Sequence, residues 1–393
     1  MSTIFFNSRQ TGDRIAVMKN TYEKNRRLRA AAIVLAVAGV LLLIAAVLVY
    51  TGLALKIPAY FGIAVAPDGP AETSPSPNLC SHPYHDPDTQ LCAVCGEKVC
   101  HDYSELVCGV CGKRFVFEQE SIAPDFFGSC VHPGTVETLD YSAGDYISGR
   151  TGGSGKQMNV YLPYGYSPEE KYNVVFLLAG TGNHHTYWFG EDHPYRYPDG
   201  EIITVNIKDL FDNMIDRRLC RPFIAVSITQ YLNEEIRSSG ENYARDAGQL
   251  SRELVNDIIP ALYGRYGVYP PGERDHYAFI GASAGSIIGV QSALMKDFGS
   301  FSRFGVISGC AADSSAVADA IHSEENSGLP IGFLFACAGE SDRLREGTEA
   351  LFKGLRNRGI ADDVNSAFVA VRSASHEDRV WFTGIYDCVQ FFF

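Results

Sequence analysis

Residues 277–286 have the sequence YAFIGASAGS, and this stretch decides the fold. The apolar run YAFI is typical of a buried strand, and a helical pattern follows at residues 287–296. Between them, Gly281-Ala-Ser283-Ala-Gly285 matches the G-x-S-x-G nucleophile elbow, which requires this strand–turn–helix context. The glycines permit a sharp turn with Ser283 at its apex, and the N–H of Ala284 can then point at a developing oxyanion. The pattern therefore predicts Ser283 as a catalytic nucleophile.

The sequence around this elbow alternates between short apolar runs and stretches with helical spacing. The apolar runs lie at residues 174–178, 223–228, 277–280, 304–307, 333–336 and 368–371, and the helical stretches at 243–263, 287–296, 344–358 and 378–392. Runs that are apolar on both faces and separated by helices indicate a parallel sheet covered on both sides. Residues 135–163 predict a preceding hairpin. We therefore expect an α/β-hydrolase fold, with a mostly parallel sheet flanked by helices, over residues 122–393.

The order of the catalytic residues along the chain indicates the base and the acid. In this fold the order is serine, then acid, then histidine. Only His322 and His376 follow Ser283, and His376 lies directly after the last predicted strand and before the last helix. The acid should end the preceding strand, where Glu340 and Asp342 occur and Asp342 is better placed. Singly, these residues have simpler explanations as helix caps or surface groups. Jointly, they predict a Ser283–His376–Asp342 triad.

A second backbone donor for the oxyanion is expected in the loop after an early strand. The sequence Ala-Gly-Thr-Gly follows the run at 174–178 directly. The N–H groups of Gly180 and Thr181 are the candidates.

The same loop continues as NHHTYWF at residues 183–189. Adjacent residues rarely converge on one ion, so His184 and His185 favour substrate contact or exposure over metal binding. Tyr187 and Trp188 form either an aromatic wall for a ring or sugar, or part of the core. His185 and Trp188 are the candidate substrate-binding residues.

The N-terminal region predicts a membrane anchor. Residues 30–55 carry no charged side chain, and residues 31–50 are long enough to span the hydrocarbon core as a helix. A cleaved signal peptide is the alternative, but its apolar core is shorter and begins nearer the N terminus. The preceding residues 1–29 are basic, which places them in the cytoplasm and the catalytic domain on the extracytoplasmic side. Residues 56–78 are a Pro- and Ser-rich linker.

Residues 79–115 contain six of the 11 cysteines and predict a zinc-ribbon-like module. Two C-x-x-C-G knuckles, at residues 92–96 and 108–112, each let two thiolates converge on a tetrahedral ion, and each follows a Cys/His pair. One ion on the four knuckle cysteines, or two ions on the full set, would fit. Three disulfides are the alternative. The full set of candidate ligands is Cys80, His82, Cys92, Cys95, Cys100, His101, Cys108 and Cys111.

Charge argues against a nucleic-acid partner. The 393 residues have a net charge of −13, and the cysteine-rich segment is not basic. Of the five other cysteines, Cys310 and Cys337 are expected to be buried small hydrophobes. Pairing of Cys130 or Cys220 stays open, and Cys388 has no assigned role.

From about residue 131 to the C terminus the chain resembles carbohydrate esterase family one, which includes feruloyl esterases, acetylxylan esterases and esterase D type hydrolases. The resemblance rests on the segments MNVYLPYGYSPEEKYNVVFLLAGTG, RPFIAVSITQ, ELVNDIIPALYGRYGVY, YAFIGASAGS, FACAGESD and ASHEDRVWFTGIYD. It implies Ser283 as nucleophile, Asp342 as acid and His376 as base. The chain has Ala179-Gly180 where the family usually has His-Gly, and Gly285-Ser286 where two glycines are common. These departures leave the acyl-group preference open.

These patterns predict a membrane-anchored, extracytoplasmic serine esterase that hydrolyses acetyl or feruloyl esters of carbohydrate. The chemistry needs no cofactor. Two alternative functions also fit the sequence. One is an acyltransferase of the same fold that passes the acyl group to a glycan. The other is a non-enzymatic surface protein that binds partners through the cysteine-rich module.

Overall fold

The computed structural model describes residue 106 and residues 115–147, 153–231, 243–310, 312–326 and 328–392. All of them lie within one compact unit, Pro75–Phe393. The predicted tail, the membrane span, the linker and all eight candidate zinc ligands lie outside the described residues. Within the described ranges, no helix combines the length and apolar character needed to cross a membrane. The same ranges contain no group of three or more His, Cys, Asp or Glu residues arranged to hold a metal ion.

The centre of the described chain is a sheet of eight strands with the spatial order β1-β2-β6-β3-β7-β8-β9-β10. Strand β2 pairs antiparallel with both of its neighbours, β1 and β6, and the neighbours from β6 through β3, β7, β8 and β9 to β10 pair parallel. The predicted mostly parallel sheet is therefore confirmed. Strands β4 and β5 form a separate antiparallel pair. The strand bounds are β1 Thr135–Ala143, β2 Ser154–Leu162, β3 Val174–Leu178, β4 His193–Arg196, β5 Ile202–Val205, β6 Ile224–Ile228, β7 Tyr277–Ala282, β8 Arg303–Ile307, β9 Phe333–Gly339 and β10 Ser366–Val371.

Both faces of the central strands are buried, which explains their uniformly apolar sequences. Successive side chains of a strand point to opposite faces. In β3, Val174, Phe176 and Leu178 belong to one hydrophobic core, and Val175 and Leu177 belong to the other. A strand of this kind has no polar face, so it appears in the sequence as a continuous apolar run.

Helices cover the two faces unequally. Buried residues of α3 to α7 pack in one core, and those of α1, α2 and α8 pack in the other. A π-helical turn, Leu254–Ile258, joins α3 to α4, next to Pro260, whose missing N–H removes one helical hydrogen bond. The helix bounds are α1 Thr186–Gly190, α2 Ile207–Asp216, α3 Tyr243–Glu253, α4 Ile259–Arg265, α5 Ala284–Gly289, α6 Ser314–Ile321, α7 Arg345–Asn357 and α8 Asp378–Phe392.

Helices α2 and α6 and the β4–β5 pair were not predicted from the sequence. Both helices carry a capping signal that would have located them. The Asn206 side chain accepts the Asp209 N–H at 2.9 Å, and the Asp313 side chain accepts the Ser315 N–H at 2.8 Å. Strands β4 and β5 have only four residues each, and β4 contains Pro194, so neither shows a clear period.

Residues before 122, the predicted start of the hydrolase domain, also pack against that domain. The rings of Phe115 and Phe117 lie 4.3 and 5.3 Å from that of Phe391 on α8. The buried Leu106 donates its N–H to the Val364 carbonyl at 3.4 Å. The end of the predicted zinc module therefore contributes residues to the hydrolase core.

In the described ranges, Cys130, Cys310, Cys337 and Cys388 are free thiols. Cys220, Cys337 and Cys388 are buried, while Cys130 and Cys310 are partly buried. The expected burial of Cys310 is therefore incomplete.

Candidate active site

Ser283 sits on a sharp turn between β7 and α5. Its backbone has φ 55° and ψ −122°, a conformation that non-glycine residues rarely adopt. The turn is held because the Ser283 N–H donates to the Ile307 carbonyl at 2.9 Å. The glycine at position 285 is required by space, since a Cβ there would lie 2.3 Å from the Leu178 carbonyl oxygen. The helix start can thus approach β3 closely, with Ser283 at the carboxyl edge of the sheet.

Ser283, His376 and Asp342 lie in one hydrogen-bonded row. Ser283 Oγ is 2.8 Å from His376 Nε2, and His376 Nδ1 is 3.0 and 3.2 Å from the two carboxylate oxygens of Asp342. Because Nδ1 faces a carboxylate, it carries the proton, and Nε2 accepts the Ser283 hydroxyl. The row comes together because all three residues follow parallel strands, β7, β9 and β10, whose carboxyl ends share one edge.

Asp342 is held as a carboxylate. Its side chain is fully buried, and burial raises the pKa of Asp342, but hydrogen bonds from His376 and the Leu344 N–H outweigh burial and lower that pKa below its usual value. A buried anion of this kind can orient His376 and stabilise the imidazolium ion.

The loop that carries His376 is fixed by Arg379, which no sequence pattern indicated, and by Glu340. The buried Arg379 guanidinium donates to the Ser373 carbonyl at 2.5 Å and to the Glu120 carbonyl at 3.0 Å. Glu340, the other acid after β9, accepts the Ser373 N–H at 3.0 Å. Glu340 therefore braces the histidine loop instead of contacting His376.

Trp381 is a further neighbour of the histidine. Its ring centroid lies 5.6 Å from that of His376, at an interplanar angle of 83°. It lies five residues after His376 on the first turns of α8. The sequence signal for this neighbour was a tryptophan placed five residues after the candidate base.

The loop after β3 lies against the serine. A Cβ placed on Gly180 would be 3.3 Å from Ser283 Cβ and 3.6 Å from Ser283 Oγ. Among the described residues, the N–H groups of Gly180, Thr181 and Ala284 have no hydrogen-bond acceptor. The Gly182 N–H, in contrast, donates to the Tyr231 hydroxyl at 3.0 Å. Three free backbone donors therefore lie on the two segments that meet at Ser283.

The two candidate substrate-binding residues have different surroundings. Trp188 is 1% exposed and packs edge-to-face on Tyr187 and against Phe382, so its assignment as a substrate contact is corrected to a core position. His185 is partly buried, and its N–H donates to Thr229 Oγ1 at 2.8 Å. Burial, with the charges of His184 and Lys156, lowers the pKa of His185. The ring of His185 therefore favours its neutral form.

Fold and site together define an α/β-hydrolase-fold protein with a serine–histidine–aspartate row at the carboxyl edge of its sheet. Residues 149–328 match the Esterase family model, described as "Putative esterase". This match covers somewhat less than half of the chain.

Known proteins agree with this class. A segment of 174 residues is 29% identical to endo-1,4-beta-xylanase Y of Acetivibrio thermocellus, covering 42% of this chain and 13% of that protein. The feruloyl esterase module of Clostridium thermocellum, solved with sinapinate, is similar at a TM-score of 0.58 and 22% identity, over 71% of this chain and 96% of that one. The CE1 ferulic acid esterase of Anaeromyces mucronatus gives 0.54 and 15%, over 70% and 97%. These structural likenesses show the fold.

Proposed function

We propose that this chain is a serine esterase that hydrolyses acyl esters through Ser283, His376 and Asp342. The observation that carries the proposal is the row of hydrogen bonds from Ser283 Oγ through His376 to the buried Asp342 carboxylate. An elbow serine, a base within hydrogen-bond reach and a buried acid behind the base are the parts that acyl transfer requires. The match to the Esterase family model supports the same activity.

In the acylation step, His376 Nε2 takes the hydroxyl proton while Ser283 Oγ forms a bond to the ester carbonyl carbon. The carbonyl oxygen becomes an oxyanion, which accepts hydrogen bonds from the N–H of Ala284 and from the Gly180–Thr181 loop. His376 then returns the proton to the alcohol oxygen as the carbon–oxygen bond breaks. Asp342 stabilises the imidazolium ion in the interval.

In the deacylation step, water replaces the alcohol. His376 takes one proton from water as the water oxygen attacks the acyl carbon, and the same backbone donors hold the second oxyanion. Collapse returns that proton to Ser283 Oγ and releases the free acid. No cofactor enters either step.

We propose an acetyl or feruloyl ester of a carbohydrate as the substrate class. The support comes from the similar proteins: the matching segment occurs in a xylanase, and the structurally similar feruloyl esterase module was solved with sinapinate.

The test is hydrolysis of p-nitrophenyl acetate and methyl ferulate by the full-length protein and its Ser283→Ala variant. We expect turnover to fall by at least about 10³-fold in the variant, because the remaining site keeps only the oxyanion donors. Ser292→Ala is a matched control, since the buried Ser292 hydroxyl donates to the Ile288 carbonyl, four residues earlier in the chain, and lies outside the proposed triad. The absence of Ser283-dependent turnover on both esters overturns the proposal. Transfer product exceeding free acid with a sugar acceptor present identifies an acyltransferase.

We also propose that residues 30–55 anchor the protein in a membrane, with the catalytic unit on the extracytoplasmic side, and that residues 79–115 bind one or two zinc ions. The sequence patterns are the support. Protease accessibility of the catalytic unit in intact cells tests the orientation, and protection there contradicts it. Metal content of the purified protein tests the zinc, and a value below one ion per chain contradicts it.

A further inference from the structure

The oxyanion loop, defined here as residues 180–185, must be placed accurately for the proposed chemistry. A displacement of a few tenths of an ångström changes the hydrogen bonds that an oxyanion receives. The loop lies outside the helices and strands, with Gly182 at φ 81°, and within it the Asn183 N–H donates to the Gly180 carbonyl over a long 3.3 Å. Its position therefore depends on contacts with neighbouring segments.

Two side chains after β6 supply those contacts. The Tyr231 hydroxyl accepts the Gly182 N–H at 3.0 Å, and Thr229 Oγ1 accepts the His185 N–H at 2.8 Å. Strand β3 lies between β6 and β7, so the loop after β3 has Ser283 on one side and these two residues on the other. Both side chains are buried, which keeps water from competing for the two N–H groups.

Thr229 is itself fixed from behind by a buried ion pair. Lys156 Nζ donates to the Thr229 carbonyl at 3.1 Å and to Glu253 Oε1 at 2.6 Å. Glu253 also accepts the Tyr141 hydroxyl at 2.5 Å and the Gln249 amide at 3.0 Å. Every hydrogen-bonding side chain of this cluster is buried, so the cluster gives Thr229 a rigid support.

We propose that Tyr231 and Thr229 are positioning residues that clamp the oxyanion loop against Ser283. By occupying the Gly182 N–H, Tyr231 directs that group away from the reacting carbonyl and leaves the Gly180 and Thr181 N–H groups to face it. This inference rests on the proposed function for its kinetic consequence. Its structural content, a loop held by two side-chain acceptors, can be measured without turnover.

The variants Tyr231→Phe and Thr229→Val each remove one acceptor and keep the shape of the side chain. Tyr266→Phe is the matched control, because Tyr266 is also buried and its hydroxyl donates to Glu137 on β1. Hydrogen–deuterium exchange of peptides covering the oxyanion loop is the first readout. We expect exchange at residues 182–185 to rise at least about tenfold in Tyr231→Phe and Thr229→Val, and to stay unchanged in Tyr266→Phe.

Kinetics on p-nitrophenyl acetate and inhibition by a boronic acid give the second readout. We expect kcat to fall about tenfold in Tyr231→Phe with KM within about twofold, and the boronic acid inhibition constant to rise by the same factor as kcat falls. Unchanged loop exchange in both variants overturns the clamp. The clamp is also overturned if kcat and the inhibition constant of Tyr231→Phe stay within twofold of wild type. An equal loss of kcat in Tyr266→Phe overturns it as well. An inactive wild-type protein contradicts the proposed function instead, and loop exchange still decides the clamp.

Discussion

His376 Nδ1 lies 3.0 Å from Asp342 Oδ2, and this contact joins a partly exposed imidazole to a fully buried carboxylate. The two residues are 34 positions apart and follow adjacent parallel strands, β9 and β10. The Leu344 N–H also donates to Asp342, which holds its carboxylate in one orientation. Asp342 therefore selects the tautomer of His376 in which Nε2 can accept the Ser283 proton.

Replacement of Asp342 by Asn tests that selection. An amide can donate to Nδ1 and so favour the wrong tautomer, and we expect kcat on p-nitrophenyl acetate to fall by about 10²- to 10⁴-fold with little change in KM. Steady-state kinetics check this. Glu340→Gln is the matched control, because Glu340 contacts the Ser373 N–H and not His376. An equal loss in Glu340→Gln, or a loss below tenfold in Asp342→Asn, contradicts the assignment.

Gly180→Ala tests the closeness of the oxyanion loop to the nucleophile. The added Cβ would lie 3.3 Å from Ser283 Cβ, so the loop or the serine must shift by a few tenths of an ångström. We expect kcat to fall at least about tenfold while the free energy of unfolding changes by less than about 1 kcal/mol. Kinetics and urea unfolding measure the two quantities. Gly248→Ala, where nothing lies within 4 Å of the added Cβ, is the control and should retain full activity.

Trp188 should affect stability and not substrate binding. Its side chain is 1% exposed among aromatic rings, so Trp188→Ala should lower the free energy of unfolding by about 3–5 kcal/mol. The milder Trp188→Phe should keep KM for methyl ferulate within about twofold. Urea unfolding and steady-state kinetics separate these effects. A large rise in KM for Trp188→Phe without loss of stability would return Trp188 to the substrate site.

Asp297 predicts a pH dependence of stability. Burial raises the pKa of Asp297 to about 7, although the Ser251 hydroxyl donates to it at 3.0 Å. Between about pH 4 and pH 7 the folded chain holds a proton there that the unfolded chain has lost, so this group makes stability fall as pH rises through that window. Asp297→Asn should remove this effect and be more stable relative to wild type at pH 8 than at pH 5.

Urea unfolding at both pH values measures the difference for Asp297→Asn. Asp313→Asn is the control. Hydrogen bonds from the Ser315 N–H and hydroxyl lower the pKa of Asp313, so its contribution to stability is complete above its unfolded pKa and should be the same at pH 5 and pH 8. The same advantage of Asp297→Asn at pH 5 and pH 8 would contradict a raised pKa.

The parts of this molecule that the sequence predicts are those with a local pattern. The run at Val174–Leu178 is a strand with the predicted bounds because burial on both faces leaves it no polar residue. The elbow, the order of Ser283, Asp342 and His376, and their places after strands are likewise visible along the chain. Parallel strands then bring these positions to one edge without further information.

Other parts of the site depend on partners far apart in sequence. Arg379 reaches Glu120 across 259 positions, and Tyr231 reaches Gly182 across 49, and no motif marks either pair. Trp188 shows the reverse difficulty. An aromatic residue beside the proposed oxyanion loop fits both a substrate-binding wall and the hydrophobic core, and only its packing in the structure distinguishes the two.

Covalent labelling of the full-length protein by a fluorophosphonate, mapped by peptide mass spectrometry, shows whether Ser283 is an activated nucleophile. Such a probe reacts with a serine that a neighbouring base activates. We expect one adduct, on Ser283, which is lost in Ser283→Ala and forms much more slowly in His376→Ala. Absence of an adduct on the folded protein, or an adduct on another serine that persists in Ser283→Ala, would contradict it.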